Sequence, residues 1–185
     1  MQHQCTVCHR AALLTCITNA GGLGPGHSCL AIDGYVYTFE RVGGAWLRPD
    51  SGWLQIRTKD YLDRNAHRPV VVQELDPART DATAIHDYIT LSDAEDADYL
   101  SSGLCSQQAA KALSAGLGVS VDPWGLDSPY RIYSFVKHSG CVAKSYYTFP
   151  DRDEYTPLNG RKMILYNLYT PEWQTHLSSP TILAW

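Results

Sequence analysis

His27, Glu40 and Cys105 are the residues whose types and placement could together do chemistry. An imidazole beside a carboxylate is a general base held in one tautomer, and a thiol at a helix start is a nucleophile. The three make a constellation able to attack a carbonyl carbon. The stretch "GHSCLAIDGYVYTFE", residues 26–40, carries the first two. Asp33-Gly34 between two apolar runs predicts a two-residue type I′ hairpin turn. The register follows from it: Ile32 faces Tyr35, Leu30 faces Tyr37, Cys29 faces Thr38, and His27 lies opposite Glu40 with Cβ atoms about 4.5 to 5.5 Å apart.

The thiol needs a setting that activates it. "GLCSQQAAKALSAGLG", residues 103–118, reads as a helix that opens near Cys105 and closes at Gly116 or Gly118. Unpaired N–H groups and the positive end of the helix dipole there favour a thiolate, and the Cys105 and Ser106 amides would face a developing oxyanion. Ala109, Ala112, Leu113 and Gly116 share a helix face with Cys105. This lean stripe is expected to pack on the hairpin face made of Ala31, Val36, Cys29 and Thr38, whose other side carries Ile32, Leu30, Tyr35, Tyr37 and Phe39. Cys29 and Cys16 are weaker nucleophile candidates, the first inside a strand, the second only 11 residues before His27. His86 and His138 fall in helical patterns with no carboxylate opposed.

The elements that must position these groups form an α+β pattern with a mostly antiparallel sheet. Residues 1–20 carry a weak helical pattern, and "GGLGPG" is a loop into the hairpin. Residues 45–58 read as two extended pieces about a turn at 49–52, and Thr58 as the cap of a short helix. "RPVVVQEL" (68–75) is the clearest core strand, and "TDATAIHDYITL" (80–91) a helix. "SPYRIYSFVKHSG" (128–140) has Ser128 as N-cap, Pro129 in the first turn and Gly140 as terminator. "CVAKSYYTF" (141–149) and "RKMILYNLY" (161–169) read as late strands.

With 185 residues, one domain spanning 1–185 is expected. A net charge of -4 gives no basic footprint for nucleic acid or an anionic membrane. No apolar run reaches the length of a transmembrane helix and no secretory leader opens the chain, so synthesis in the cytoplasm is expected. The six cysteines are then read as reduced thiols. "CTVCH", Cys5 to His9, matches a haem-attachment spacing and offers a partial zinc set with Cys16 or His9, but Met1 and Met163 are the only thioethers and no second Cys or His pair accompanies it. Coincidence is the favoured reading. A non-catalytic metal-binding module using Cys5 and Cys8 stays open as an alternative.

A strand opening Gly26-His27, followed by a hairpin and, far downstream, a helix opening "CSQQAAKAL", resembles the circularly permuted branch of the NlpC-type papain-like cysteine peptidases, a branch that includes the lecithin retinol acyltransferase-like proteins. In that branch the histidine precedes the nucleophile, as here. The resemblance covers residues 24–40 and 100–140; Leu104 stands where permuted members commonly carry asparagine. It implies a papain-like antiparallel sheet with the nucleophile helix packed against it, and Cys105 as nucleophile, His27 as base and Glu40 as orienting group. No cofactor or metal is implied. It further implies amide hydrolysis, commonly of cell-wall peptidoglycan peptides, and compact members without a leader resemble antibacterial toxins delivered by contact-dependent (type VI) secretion to a target cell's periplasm and opposed by an immunity protein. A thiol-dependent acyl or lipid transferase, or lipid hydrolase, is the alternative within the family.

Overall fold

The computed structural model describes residues 10–16, 26–41, 51–65, 70–93, 105–121 and 128–148. In chain order these form β1 (Ala11–Cys16), β2 (His27–Ile32), β3 (Tyr35–Arg41), β4 (Ser51–Arg57), α1 (Thr58–Arg64), β5 (Val70–Leu75), α2 (Ala82–Asp93), α3 (Cys105–Leu117), α4 (Pro129–His138) and β6 (Val142–Thr148). The strands make one sheet in the order β4-β3-β2-β1-β5-β6. Every neighbouring pair is antiparallel. The α+β expectation stands.

β1 corrects the reading of residues 1–20 as helical. All six of its residues are buried, since β2 and β5 flank it and helices cover both faces. A strand buried on both sides shows no alternation, so "AALLTC" reads as a short helical run. The core strand, the helix from residue 82 and the late strand from residue 142 lie where expected. Thr58 does not cap α1: it is the first helical residue, and Arg57 before it makes no capping hydrogen bond. The Thr58 N–H instead donates to the Gly34 carbonyl at 2.9 Å, so the hairpin turn satisfies the helix start. Ser128 does cap α4, accepting from the Arg131 N–H, with Pro129 in the first turn and Gly140 following at φ 72°. The first extended piece expected before Ser51, the strand at 161–169, the tail after it and the "CTVCH" motif lie outside the described residues.

Two apolar layers sandwich the sheet. On one side Leu13, Leu30, Ile32, Tyr37 and Phe39 pack under α2, α3 and α4 through Ile85, Ile89, Ala112, Leu113, Ile132 and Val136. On the other Ala12, Leu14, Cys16, Cys29, Ala31, Val36, Val70 and Val72 surround Tyr61 of α1. The helix that opens at Cys105 therefore covers the bulky face of the hairpin, not the small one. Large side chains need the broad cover of three helices, whereas small ones leave room for a single aromatic ring. α3 approaches α2 closely at Gly116, where an added Cβ would strike the Ile85 side chain and lie 2.8 Å from the Asp81 carbonyl. Among the described residues no helix is long and apolar enough to cross a membrane.

Candidate active site

The hairpin turn forms as its sequence dictates. Asp33 and Gly34 both take positive φ, 47° and 83°, the combination a type I′ turn requires. The rungs are Ile32↔Tyr35, Ala31↔Val36 and Leu30↔Tyr37, the expected register. Carried on, it sets Cys29 against Thr38 and His27 against Glu40 on one face.

The contact within that face differs from the simple pair. His27 Nε2 lies 2.6 Å from Thr38 Oγ1, and the Thr38 hydroxyl donates to Glu40 Oε1 at 2.9 Å. Glu40 Oε1 itself is 3.8 Å from Nε2, beyond a direct hydrogen bond. Threonine has one hydroxyl hydrogen, and the carboxylate takes it. Thr38 must then accept from His27 Nε2–H, which makes Nδ1 the basic nitrogen of the neutral ring. Thr38 is fully buried, while the Glu40 side chain is 42% exposed and that of His27 15%. Thr38, one pair inward from His27 and Glu40 on the same face, thus links the two, a contact the hairpin register alone does not reveal.

Gly26 explains why glycine precedes the histidine. Its φ is +79°, and a Cβ there would sit 2.7 Å from the Cys16 carbonyl and 3.7 Å from the Pro129 ring. Only glycine lets the chain pass between the end of β1 and the first turn of α4 and deliver His27 to the start of β2.

Cys105 opens α3 and is partly buried. Burial pushes its thiol up; the backbone N–H groups of Ser28 and Ser106 donate to the sulfur and oppose that rise, and Cys16 and Glu40 add to it. Burial wins, so the unliganded thiol is neutral rather than the thiolate the helix start alone would favour. The Ser28 bond also locates the sulfur, because Ser28 directly follows His27 in β2. The helix reaches the strand from the three-helix face, while His27 and Glu40 lie on the α1 face. Cys105 thus nears the end of β2 at Ser28, and α3 does not pack across the small face of the hairpin.

β1 brings another thiol to this end. Cys16 pairs directly with His27 in register, although only a short segment separates them, because a strand needs less chain than the helix expected there. It is fully buried and lies 3.2 Å from the Tyr61 hydroxyl, to which Cys29 also donates at 3.2 Å. Burial, reinforced by Cys16, raises the Cys29 thiol well above its ordinary value, and burial does the same to Tyr61. Cys29 and Tyr61 are neutral packing groups, and among the described cysteines Cys105 is the one that is not fully buried. His86 stacks edge-on against Tyr37, and His138 Nδ1 meets the Ser134 carbonyl at 2.7 Å.

The class defined by fold and site is an α+β protein with a cysteine and a histidine at one end of an antiparallel sheet. Comparison of the chain with protein-family models, curated proteins and solved structures finds no match.

Proposed function

We propose that this chain is a cysteine hydrolase that cleaves an amide bond, with cell-wall peptidoglycan peptides as its substrate class. The observation that carries the reading is the partly buried Cys105 thiol at the start of α3, near enough to the Ser28 N–H to feel it, with Ser28 next along β2 from a histidine whose Nε2–H is fixed through Thr38 to Glu40. The thiol proton passes to Nδ1 of His27 as the sulfur attacks the carbonyl carbon. Because burial keeps the thiol neutral, transfer and attack occur together rather than from a standing ion pair. The imidazolium then gives its proton to the leaving amine, which departs as the thioester forms. Water, deprotonated by the same ring, adds to the thioester and releases the acid and the free thiol.

The substrate class and a role as an antibacterial effector, opposed by an immunity protein, rest on the resemblance of Gly26-His27 and "CSQQAAKAL" to permuted NlpC-type enzymes. The test incubates the protein with peptidoglycan fragments and identifies products by mass, against Cys105→Ala and His27→Ala. Cleavage by the wild type and neither variant supports the proposal. Full activity in Cys105→Ala overturns the site; no cleavage together with labelling of Cys105 by a lipid ester overturns the substrate class in favour of acyl transfer.

A further inference from the structure

Ser28 and Thr15 face each other across β2 and β1, in the register that also pairs Leu30 with Leu13. Side chains two apart in a strand share a face, so both hydroxyls lie on the side that Leu13 and Leu30 turn toward α3. Both side chains are fully buried, and neither Ser28 Oγ nor Thr15 Oγ1 has a hydrogen-bond partner. Two orphaned hydroxyls on one rung are costly, since each gives up its water and gains nothing in return. A catalytic role is one reason for keeping such groups.

Their position supplies the missing acceptor. α3 opens at Cys105 over this face, and the Ser28 N–H acts on the Cys105 sulfur. A neutral thiol is a weak acceptor and draws little from Ser28. Once its proton leaves, the sulfur carries negative charge, and a hydrogen bond to a charged acceptor is about twice as strong as one between neutral groups. A serine hydroxyl reaches a new acceptor by turning about one bond, with the strand unmoved. Thr15 stands opposite with Cβ atoms about 4.5 to 5.5 Å apart, so its hydroxyl can in turn donate to Ser28 Oγ.

We propose that Ser28 is a further catalytic residue of the hydrolase proposed above, its hydroxyl donating to the Cys105 sulfur as the thiol proton passes to His27, and that Thr15 positions it by donating to Ser28 Oγ. The inference rests on Cys105 being the nucleophile. The N–H and O–H of one residue then share the charge on sulfur, and both orphaned hydroxyls gain partners in the same step.

The test follows alkylation of Cys105 by iodoacetamide against pH in the full chain, with the labelled peptide identified by mass. The titratable groups at this end of the sheet, Cys16, His27, Cys29 and Glu40, are unchanged in every variant. Ser28→Ala is expected to raise the midpoint of the profile by about one pH unit, the worth of a hydrogen bond to a charged group. Thr15→Val raises it by less, and Ser28→Thr, which returns the hydroxyl, restores it. A midpoint unchanged or lowered in Ser28→Ala overturns the proposal, whatever happens to stability. Should Ser28→Ala fail to fold, Thr15→Val carries the test in the same direction. A raised midpoint in a protein that cleaves no amide supports the contact to sulfur and overturns the hydrolase reading instead.

Discussion

Replacing Thr38 by valine removes one oxygen from the path between His27 and Glu40 and changes little else. Valine matches threonine in shape and suits a strand, so the buried site keeps its packing. Two hydrogen bonds disappear, the 2.6 Å contact to His27 Nε2 and the 2.9 Å donation to Glu40. Under the proposed mechanism the first joins neutral groups before reaction. In the transition state the ring is an imidazolium, and a bond to a charged group is worth about 1.5 to 3 kcal/mol against about 1 for a neutral one. Adding the loss of tautomer control, Thr38→Val raises the barrier by about 2 to 3 kcal/mol, about 30- to 150-fold in kcat. Glu40→Gln retains an acceptor for the Thr38 hydroxyl and loses only the charge. That charge is 3.8 Å from Nε2 on a side chain that is 42% exposed, so the water limit applies, about 1 kcal/mol or about fivefold.

The assay is kcat and KM on a peptidoglycan peptide or an activated amide, with circular dichroism to verify folding. The expected order is Thr38→Val far below Glu40→Gln, with Thr38→Ser restoring most of the rate because it returns the hydroxyl. A wild-type rate in Thr38→Val beside a collapse in Glu40→Gln would refute the relay and restore a direct acid-imidazole contact.

Gly26→Ala forces a Cβ against the Cys16 carbonyl at an unfavourable φ, and should cost about 1 to 3 kcal/mol in urea unfolding and displace His27; unchanged stability and rate would contradict this. Because burial raises the Cys105 thiol, its iodoacetamide labelling should climb through the alkaline range, and a rate plateau at neutral pH would instead indicate a standing thiolate. Cys29 and Tyr61 stay protonated in the folded chain while their unfolded counterparts ionise at ordinary values; stability is therefore full at neutral pH and falls above about pH 8.5 for the thiol and about pH 10 for the phenol, each by up to about 1.4 kcal/mol per pH unit. Denaturant midpoints across pH measure this, and Cys29→Ala should lessen the earlier decline, leaving the share of the raised Cys105 thiol. Gly116→Ala crowds Ile85 and the Asp81 carbonyl and should lower stability by about 1 to 3 kcal/mol, read as a lower Tm.

Local chemistry made several elements legible. Asp33-Gly34 set the hairpin and its register, Ser128-Pro129 opened one helix, and the alanines after Cys105 declared another. Each signal is complete within a few residues, as caps and turns are. Thr58 shows the limit. It is a good capping type, yet its N–H is satisfied by Gly34, more than twenty positions earlier, and a contact of that range leaves no trace in the local sequence.

The face chosen by α3 was illegible for a related reason. Both sides of the hairpin are apolar, so the hairpin alone does not say which side a helix takes. The decision lies with β1, whose Leu13 extends the bulky layer of Leu30, Tyr37 and Phe39 into a surface wide enough for three helices, and β1 was read as a helix. The same misreading set Cys16 far from His27, although the strand places them as direct partners. His27 and Cys105 were each located by a strong local signal, the turn for one and the helix start for the other. Thr38 depends on both levels: the turn puts its hydroxyl on the His27 face, and only the actual strand geometry brings it closer to Nε2 than Glu40 is. A site whose atoms are assigned by the turn but whose contacts are assigned by the tertiary fold should therefore tolerate Glu40→Gln better than any substitution that removes the hydroxyl between them.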